Sequence, residues 1–396
     1  MVIQLVFFLR MLATGIISPV LALMLLAHGG TIETVSLLIG VYSVTVVAAE
    51  FPSGVLADLF GQRRTFLLST LFGVLSFCLV LASQSFWLLA AAMVSMGLSR
   101  AFASGTLDAL AVNQAQAHED HSLLQLTSRF AVLESAGLAI GALAGGFLLS
   151  IGEGYIVNIA INIGLFGLLF FLTLFCIHET PARNAGESRV PLRTLVQGQI
   201  HQSVSFILQK GIVRAIVVLS IVTGFATISV ETYWQPAFTA MDPPSWMLGL
   251  VSFAGYISVM AGSRLITRIL RRHTAHVVTA LFALRALLGA GLVALYCAVS
   301  ATPFIAVYML SYFFLGSSGV AESTLIHRVA PDTQRSSILS LFSFLQQLGS
   351  ILASAAGFLV STYSNYRLMW VAGGVLLLAC TGMLALQKNR QRGSCL

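Results

Sequence analysis

The sequence alternates long apolar runs with short polar segments from one end to the other. A transmembrane helix needs about 20 apolar residues to cross a hydrocarbon core of about 30 Å, and twelve runs meet that length. The pattern therefore predicts an all-α, polytopic membrane protein with twelve transmembrane helices. These occupy roughly residues 4–27, 34–57, 65–83, 86–112, 129–150, 156–177, 212–237, 247–268, 275–298, 303–325, 337–360 and 368–386.

The longest polar segment divides the apolar runs into two sets of six. It covers residues 178–211 and contains several proline and glycine residues, as a linker does. We therefore predict an N-terminal six-helix bundle over residues 1–177, a cytoplasmic linker over 178–211, and a C-terminal six-helix bundle with a short cytoplasmic tail over 212–396.

Part of the N-terminal half recurs in the C-terminal half. A glycine followed by a basic pair is repeated 208 residues apart, as Gly54 with Arg63 and Arg64, then as Gly262 with Arg271 and Arg272. Six-span halves that are repeated in parallel are typical of secondary transporters, whose substrate site lies between the halves near the bilayer midplane. The repeat thus indicates two related, pseudo-repeated bundles.

Composition and charge support a membrane protein and predict its orientation. Only 9% of the residues are charged and mean hydropathy is +0.92, whereas soluble proteins carry about 25% charged residues. The net charge of +7 does not indicate nucleic-acid binding, because the basic residues cluster between alternate spans and only Arg367 falls on the opposite side. By the positive-inside rule, both termini are cytoplasmic. We expect the membrane to be a plasma membrane, the inner membrane of a bacterium.

The cysteines and histidines give no sign of a metal or catalytic site. The five cysteines include no pair at metal-ligand spacing, and the eight histidines lie at span ends or in loops. No nucleophile has an adjacent base, and the outer loops are short. We therefore expect no catalytic residue, no metal and no cofactor. The expected driving force is a proton gradient.

Ionisable side chains inside the spans are the first candidates for function, because a charge in the bilayer is costly unless it is paired or hydrated. They are Arg10, Glu50, Arg100, Asp108, Glu134, Glu231, Arg285 and Glu322. Glu50 and Glu134 are predicted proton-coupling acids. The alternative is that they form structural ion pairs with Arg129, Arg328 or Arg335.

Arg100 and Asp108 share the predicted fourth span, two helical turns apart. Both are predicted to bind substrate, since an arginine can hold an anionic group or keep an acid charged, and Asp108 is also predicted to couple protons. A plain salt bridge between helices is the alternative. Arg285, in the middle of the ninth span, has no functional explanation: it snorkels to the interface, pairs with a neighbouring helix, or shows that the span is misplaced.

Two helical stripes combine an acid with aromatic and small residues. They are Gly224, Thr227, Glu231 and Trp234 on the seventh span, and Tyr308, Tyr312, Gly316, Gly319 and Glu322 on the tenth. Such stripes usually line cavities, and an acid beside aromatic rings suits a lipophilic cation. The predicted substrate-binding residues are Thr227, Glu231, Trp234, Tyr308 and Tyr312. Glu231 is also a predicted proton-coupling acid, with an interfacial anchor as the alternative, while Gly316 and Gly319 are expected to serve helix packing.

Two segments carry a resemblance to a known family. The stretch Gly54-Val-Leu-Ala-Asp-Leu-Phe-Gly-Gln-Arg-Arg64 resembles motif A of the major facilitator superfamily of secondary transporters. The stretch Gly141-Ala-Leu-Ala-Gly-Gly146 is similar to motif C of its antiporter branch, with alanine in place of a proline. The resemblance implies the major facilitator fold, alternating access, and a drug-exporter-like branch of drug:proton antiporters. It also implies that the motif A loop gates the cytoplasmic side, through Gly54, Asp58, Gly61, Arg63 and Arg64.

Together these observations predict a secondary active transporter, not an enzyme, that works by alternating access and exports small lipophilic or cationic compounds by proton coupling. One alternative is an importer or facilitator of a small anionic metabolite recognised by Arg100. A remote alternative is a non-transporting membrane receptor or a membrane-embedded enzyme. The expected partners are a small-molecule substrate and the lipid bilayer, without nucleic acid, and the protein is expected to be a monomer.

Overall fold

A proline interrupts the first predicted span. The computed structural model describes residues 2–107, 109–111, 123–151, 155–178, 211–272, 276–329 and 335–393. In place of one helix over residues 4–27 there are two, α1 (Val2–Ile17) and α2 (Leu21–Ala27), bent by 57°. Pro19 has no N–H to continue the helix, and its ring disfavours helical backbone at the preceding residue. The first apolar run is therefore where it was predicted, and it forms a bent pair of helices.

The other helices follow the predicted apolar runs. They are α3 (Ile32–Phe60), α4 (Gln62–Leu81), α5 (Phe86–Ala103), α6 (Leu123–Leu148), α7 (Ile156–Cys176), α8 (Gly211–Thr239), α9 (Met247–Arg272), α10 (Val277–Cys297), α11 (Ala301–Val329), α12 (Arg335–Tyr363) and α13 (Leu368–Gly393). Within the described residues, eleven helices are long and apolar enough to cross a membrane, and the bent pair α1–α2 brings the number up to twelve. The prediction of an all-α, polytopic membrane protein is confirmed.

The fourth span ends earlier than predicted. Helix α5 stops at Ala103, and the turn that follows contains Gly105 with φ +70°, a left-handed conformation that favours glycine. Helical residues resume at position 106. The prediction that Arg100 and Asp108 share one continuous helix is therefore wrong, because the turn separates them. Asp108 itself lies outside the described residues.

The described residues group into two compact units. The first contains those of Met1–Gly186 together with Phe238–Tyr256, and the second contains those of Glu187–Ala237 together with Ile257–Leu396. In the first unit, α1 packs against α6 and α7, and α5 against α3 and α4; in the second, α10 packs against α11 and α13. Most of the linker predicted over 178–211 lies outside the described residues, so its boundaries stay a prediction.

Glycines allow two helix pairs of the second unit to approach at backbone distance. A Cβ on Gly224 of α8 would lie 1.9 Å from the carbonyl oxygen of Gln346 of α12, so the prediction that Gly224 lines a cavity is wrong. A Cβ on Gly316 of α11 would lie 2.3 Å from the carbonyl oxygen of Val259 of α9, as expected for helix packing. A Cβ on Gly319 would meet nothing within 4 Å, so packing does not explain that glycine.

Candidate functional site

An acid surrounded by aromatic rings lies between α8 and α11 in the second unit. Glu231 of α8 accepts a hydrogen bond from the hydroxyl of Tyr312 of α11. The Tyr312 ring stacks on that of Tyr308 with centroids 4.3 Å apart, and Tyr308 lies 5.2 Å from the ring of Trp234. The structure thus brings together four residues that the sequence placed on two separate stripes. We call these four residues the aromatic–acid cluster.

The surroundings of this cluster are apolar. Trp234, Tyr308 and Tyr312 are buried and Glu231 is half-buried. Thr227, the fifth predicted residue, lines a cavity of about 10 Å³ together with Tyr312 and several aliphatic side chains. Within the described part of the chain, no basic side chain forms an ion pair with Glu231. A carboxylate in such a place is stabilised when a proton or a cation joins it; substrate binding and proton coupling at these residues stay predictions.

A second carboxylate of α11 is buried against a basic partner. Glu322 forms an ion pair with Arg285 of α10 and accepts a hydrogen bond of 2.5 Å from the hydroxyl of Ser220 of α8. The charged side chains are only 1% and 5% exposed. Of the alternatives for Arg285, pairing with a neighbouring helix is the one observed. We call Ser220, Arg285 and Glu322 the buried triad.

In the first unit, charges from three helices interact electrostatically. The guanidinium group of Arg100 on α5 interacts with the side chain of Tyr42 on α3, and with the carboxylates of Glu50 on α3 and Glu134 on α6. Arg100 and both acids are exposed. Helices α3 and α5 come this close because Gly97 has no side chain; a Cβ there would lie 3.0 Å from the carbonyl oxygen of Tyr42. The sequence did not single out Tyr42, because its interaction with Arg100 depends on how α3 and α5 pack.

A second arginine joins this group from α1. Arg10 donates a hydrogen bond of 3.5 Å to the hydroxyl of Ser99, and its guanidinium carbon lies 4.8 Å from the centroid of the Phe166 ring. It also interacts electrostatically with Tyr42 and Arg100. Its buried Nε atom has no hydrogen-bond partner. The two guanidinium groups thus repel each other, and an anion placed near both would relieve that repulsion.

The predicted gating loop joins α3 to α4 through Gly61. This glycine has φ +96°, in the left-handed region that glycine adopts at low cost. Arg63, near the start of α4, donates hydrogen bonds to the carbonyl oxygens of Thr173 (3.2 Å) and Leu174 (2.5 Å) of α7. The last carbonyls of a helix carry its negative partial charge, so Arg63 caps the C-terminal end of α7.

The remaining gating residues make few described contacts. A Cβ on Gly54 would meet nothing within 4 Å, and Arg64 is exposed. Asp58 belongs to α3, but its side chain lies outside the described part of the structure. Gating by this loop stays a prediction.

Comparison with known proteins covers most of the chain. The family model described as the Major Facilitator Superfamily matches residues 3–284. A protein of Bacillus subtilis (strain 168), the uncharacterized MFS-type transporter YxaM, is 23% identical over 373 residues, which make up 93% of this chain and 91% of that protein. The similarity therefore extends over both predicted bundles.

Two solved structures are similar to this one along nearly their whole length. The nucleoside transporter NupG has a TM-score of 0.77 at 13% identity, over 97% of this chain and 98% of that one. The D-xylose-proton symporter has a TM-score of 0.72 at 15% identity, over 96% of each chain. At these identities the likeness shows the fold alone, and it confirms the predicted twelve-helix architecture.

Proposed function

The chain belongs to the major facilitator superfamily, and from this premise we propose that it is a proton-coupled antiporter of the drug-exporter type that carries small lipophilic cations out of the cell. One observation carries the proposal. The carboxylate of Glu231 accepts a hydrogen bond from Tyr312 beside stacked aromatic rings, with no basic partner within the described residues. The same acid serves for both substrate binding and proton coupling.

The coupling follows from competition for one carboxylate. A charged Glu231 in apolar surroundings is costly, and either a proton or a bound cation removes that cost. The faces of Tyr308 and Trp234 attract a cation as well, through their ring quadrupoles. Because one carboxylate cannot be neutralised by both ligands at once, a proton that enters from the acidic side displaces the cation. An inward proton gradient then drives export.

Transport into liposomes tests this function. The purified protein is reconstituted in vesicles that are acidic inside and neutral outside, and uptake of labelled tetraphenylphosphonium is measured. We expect gradient-driven uptake that Glu231→Gln lowers at least about tenfold, since the amide cannot exchange a proton. Glu33→Gln, which removes an acid at the start of α3, is the matched control and should leave uptake unchanged. Uptake that does not depend on the proton gradient, or that is unchanged in Glu231→Gln, contradicts the proposal.

The paired arginines of the first unit favour a second function, import or facilitated passage of a small anionic metabolite. The guanidinium groups of Arg10 and Arg100 interact electrostatically, and Nε of Arg10 is buried with no hydrogen-bond partner among the described residues. Guanidinium groups match the geometry of carboxylates and phosphates. Uptake of labelled dicarboxylates and sugar phosphates tests this candidate. D-xylose and uridine, a sugar and a nucleoside like the solutes of the two similar transporters, serve as uncharged solutes in the same assay. Anion uptake that Arg100→Ala abolishes and Glu231→Gln spares favours this candidate over the first.

We also propose that the protein is a monomer in a bacterial inner membrane with both termini in the cytoplasm. The concentration of basic residues between alternate spans supports this orientation. A variant that keeps Cys395 as its only cysteine should react with a membrane-impermeant maleimide in everted vesicles and not in right-side-out vesicles. Labelling in right-side-out vesicles reverses the orientation, and light scattering of the purified protein gives the oligomeric state.

A further inference from the structure

Two side-chain contacts link the same pair of helices. At one, the carboxylate of Glu231 on α8 accepts from Tyr312 on α11; at the other, the carboxylate of Glu322 on α11 accepts from Ser220 on α8. The contacts are about 16 Å apart along α8 and about 15 Å apart along α11, at 1.5 Å per residue. Each helix therefore supplies one acid and one hydroxyl, and the two antiparallel helices are held together at two matching levels.

Ser220 and Glu231 also point to one side of α8. Eleven residues separate them, which places them within about 20° of each other around the axis at 3.6 residues per turn. A slip of α11 by one residue along α8, about 1.5 Å, would disturb both contacts together. The register that brings Tyr312 to Glu231 is thus the register that brings Glu322 to Ser220.

The geometry of the Arg285–Glu322 ion pair does not suit a purely stabilising role. Nε and Nη1 of Arg285 are buried without a hydrogen-bond partner, and only Nη2 reaches Glu322. An apolar pair of similar volume generally holds helices together as well as a buried ion pair or better, and the best-attested use of such a pair is to fix register. Arg285 comes from α10, which contributes no residue to the aromatic–acid cluster.

We propose that Arg285 is a positioning residue for the aromatic–acid cluster. It holds the Glu322 carboxylate where Ser220 can donate to it, which fixes the register of α11 on α8 and keeps the Tyr312 hydroxyl within reach of Glu231. Arg285 touches neither substrate nor proton. The inference rests on the proposed function only in that Glu231 is the working acid; the contact itself is measured without a substrate.

A triple-mutant cycle on unfolding tests the proposal. Unfolding of the purified protein in mixed micelles is titrated with SDS for the wild type, Glu231→Gln, Tyr312→Phe and the double variant, and the coupling between the two sites is calculated. The cycle is then repeated with Arg285→Met. We expect a coupling of about threefold or more in the unfolding equilibrium constant, lost in the Arg285→Met background. A coupling that persists there, or that is absent from the wild type, overturns the proposal.

Repeating the cycle in two further variants distinguishes a positioning role of Arg285 from a general loss of stability. Arg367 of the same unit donates to the carbonyl oxygens of Leu295, Tyr296 and Ala298. Arg367→Met should destabilise the protein and leave the coupling intact. If Arg285→Met does not fold, Arg285→Met with Glu322→Leu removes both charges and still abolishes the second contact. The coupling should be lost in that background too, and its survival there counts against the proposal.

Binding of tetraphenylphosphonium distinguishes the two hypotheses. If the wild type binds the probe, Arg285→Met should weaken binding to the level of Tyr312→Phe, and the two changes together should add little more. If the wild type shows the Glu231–Tyr312 coupling but binds no tetraphenylphosphonium, the proposed substrate class fails and the role of Arg285 stands. If the probe binds but Arg285→Met leaves its affinity unchanged, the positioning role fails and the proposed function stands.

Discussion

The two units place opposite charges in different surroundings. In the first, Arg100 faces two acids and a tyrosine, and the arginine and both carboxylates are exposed. In the second, Arg285 faces one acid, and both side chains are almost completely buried. An exposed charge can exchange one partner for another or for a ligand at little cost, whereas a buried charge must keep its partner. Burial, more than the residue types, separates a group that can respond to a ligand from one that holds structure.

The largest expected effect removes one side of the buried pair. Glu322→Leu leaves Arg285 charged and buried with no acceptor, which should cost about 3 to 5 kcal/mol of unfolding free energy. Glu134→Leu in the first unit should change the unfolding free energy by about 0.5 kcal/mol or less, because an exposed site tolerates substitution. SDS titration of both variants measures the difference. Equal losses would remove the distinction between the two units.

The next largest effect on stability is expected where two helices pack at backbone distance. Gly224→Ala places a methyl group against the backbone of α12 and should cost about 1 to 3 kcal/mol as α8 moves away. Gly319→Ala, on the open side of α11, should be close to neutral. The same titration serves for both variants. A neutral Gly224→Ala would mean that α8 and α12 are not in backbone contact.

A smaller effect is expected at the aromatic–acid cluster. Tyr312→Phe keeps the stacked ring and removes the hydrogen bond to Glu231, for a loss of about 0.5 to 1.5 kcal/mol in stability. Because Glu231 then loses its only described donor, the affinity for tetraphenylphosphonium should also fall. Tyr363→Phe, which removes one hydroxyl from an exposed ring, is the control and should leave both measurements unchanged. A Tyr312→Phe variant that matches the wild type in both measurements would show that the bond has no energetic role.

The smallest effect on stability is expected at Arg100, the residue whose loss should change transport most if the second candidate function is correct. Arg100→Met should alter the unfolding free energy by no more than about 0.5 kcal/mol, as for other exposed positions. Its effect on anion uptake is measured in the same liposomes. A loss of several kcal/mol would show that Arg100 holds the first unit together in the way that Arg285 holds the second.

Span positions could be predicted from the sequence because an apolar run long enough to cross a bilayer has few alternatives. Where the helices break could not be predicted from proline alone: Pro19 follows the end of α1, whereas Pro52 and Pro236 lie inside the continuous helices α3 and α8. The pairing of Arg285 with Glu322 could not be predicted. Both residues were identified as costly charges, but which helices are neighbours at a given depth depends on how the whole unit packs.

The candidate site was predicted in part for the same reason. Helical periodicity places Glu231 with Trp234, and Tyr308 with Tyr312, because residues on one face of a helix follow from spacing alone. That the face of α8 meets the face of α11 depends on tertiary packing, which spacing along one helix does not give. Gly224 was predicted to line a cavity and instead packs against the backbone of α12. A small residue on a polar stripe looks the same in sequence in both cases.

The cap that Arg63 places on α7 has a consequence for biosynthesis. Its carbonyl acceptors lie 110 and 111 residues farther along the chain, which at about 5 to 20 residues per second corresponds to about 5 to 20 s of translation. For most of that interval the second and third spans are already made, while Arg63 lacks these two acceptors. The contact between Arg63 and α7 therefore forms only when the sixth span has entered the bilayer.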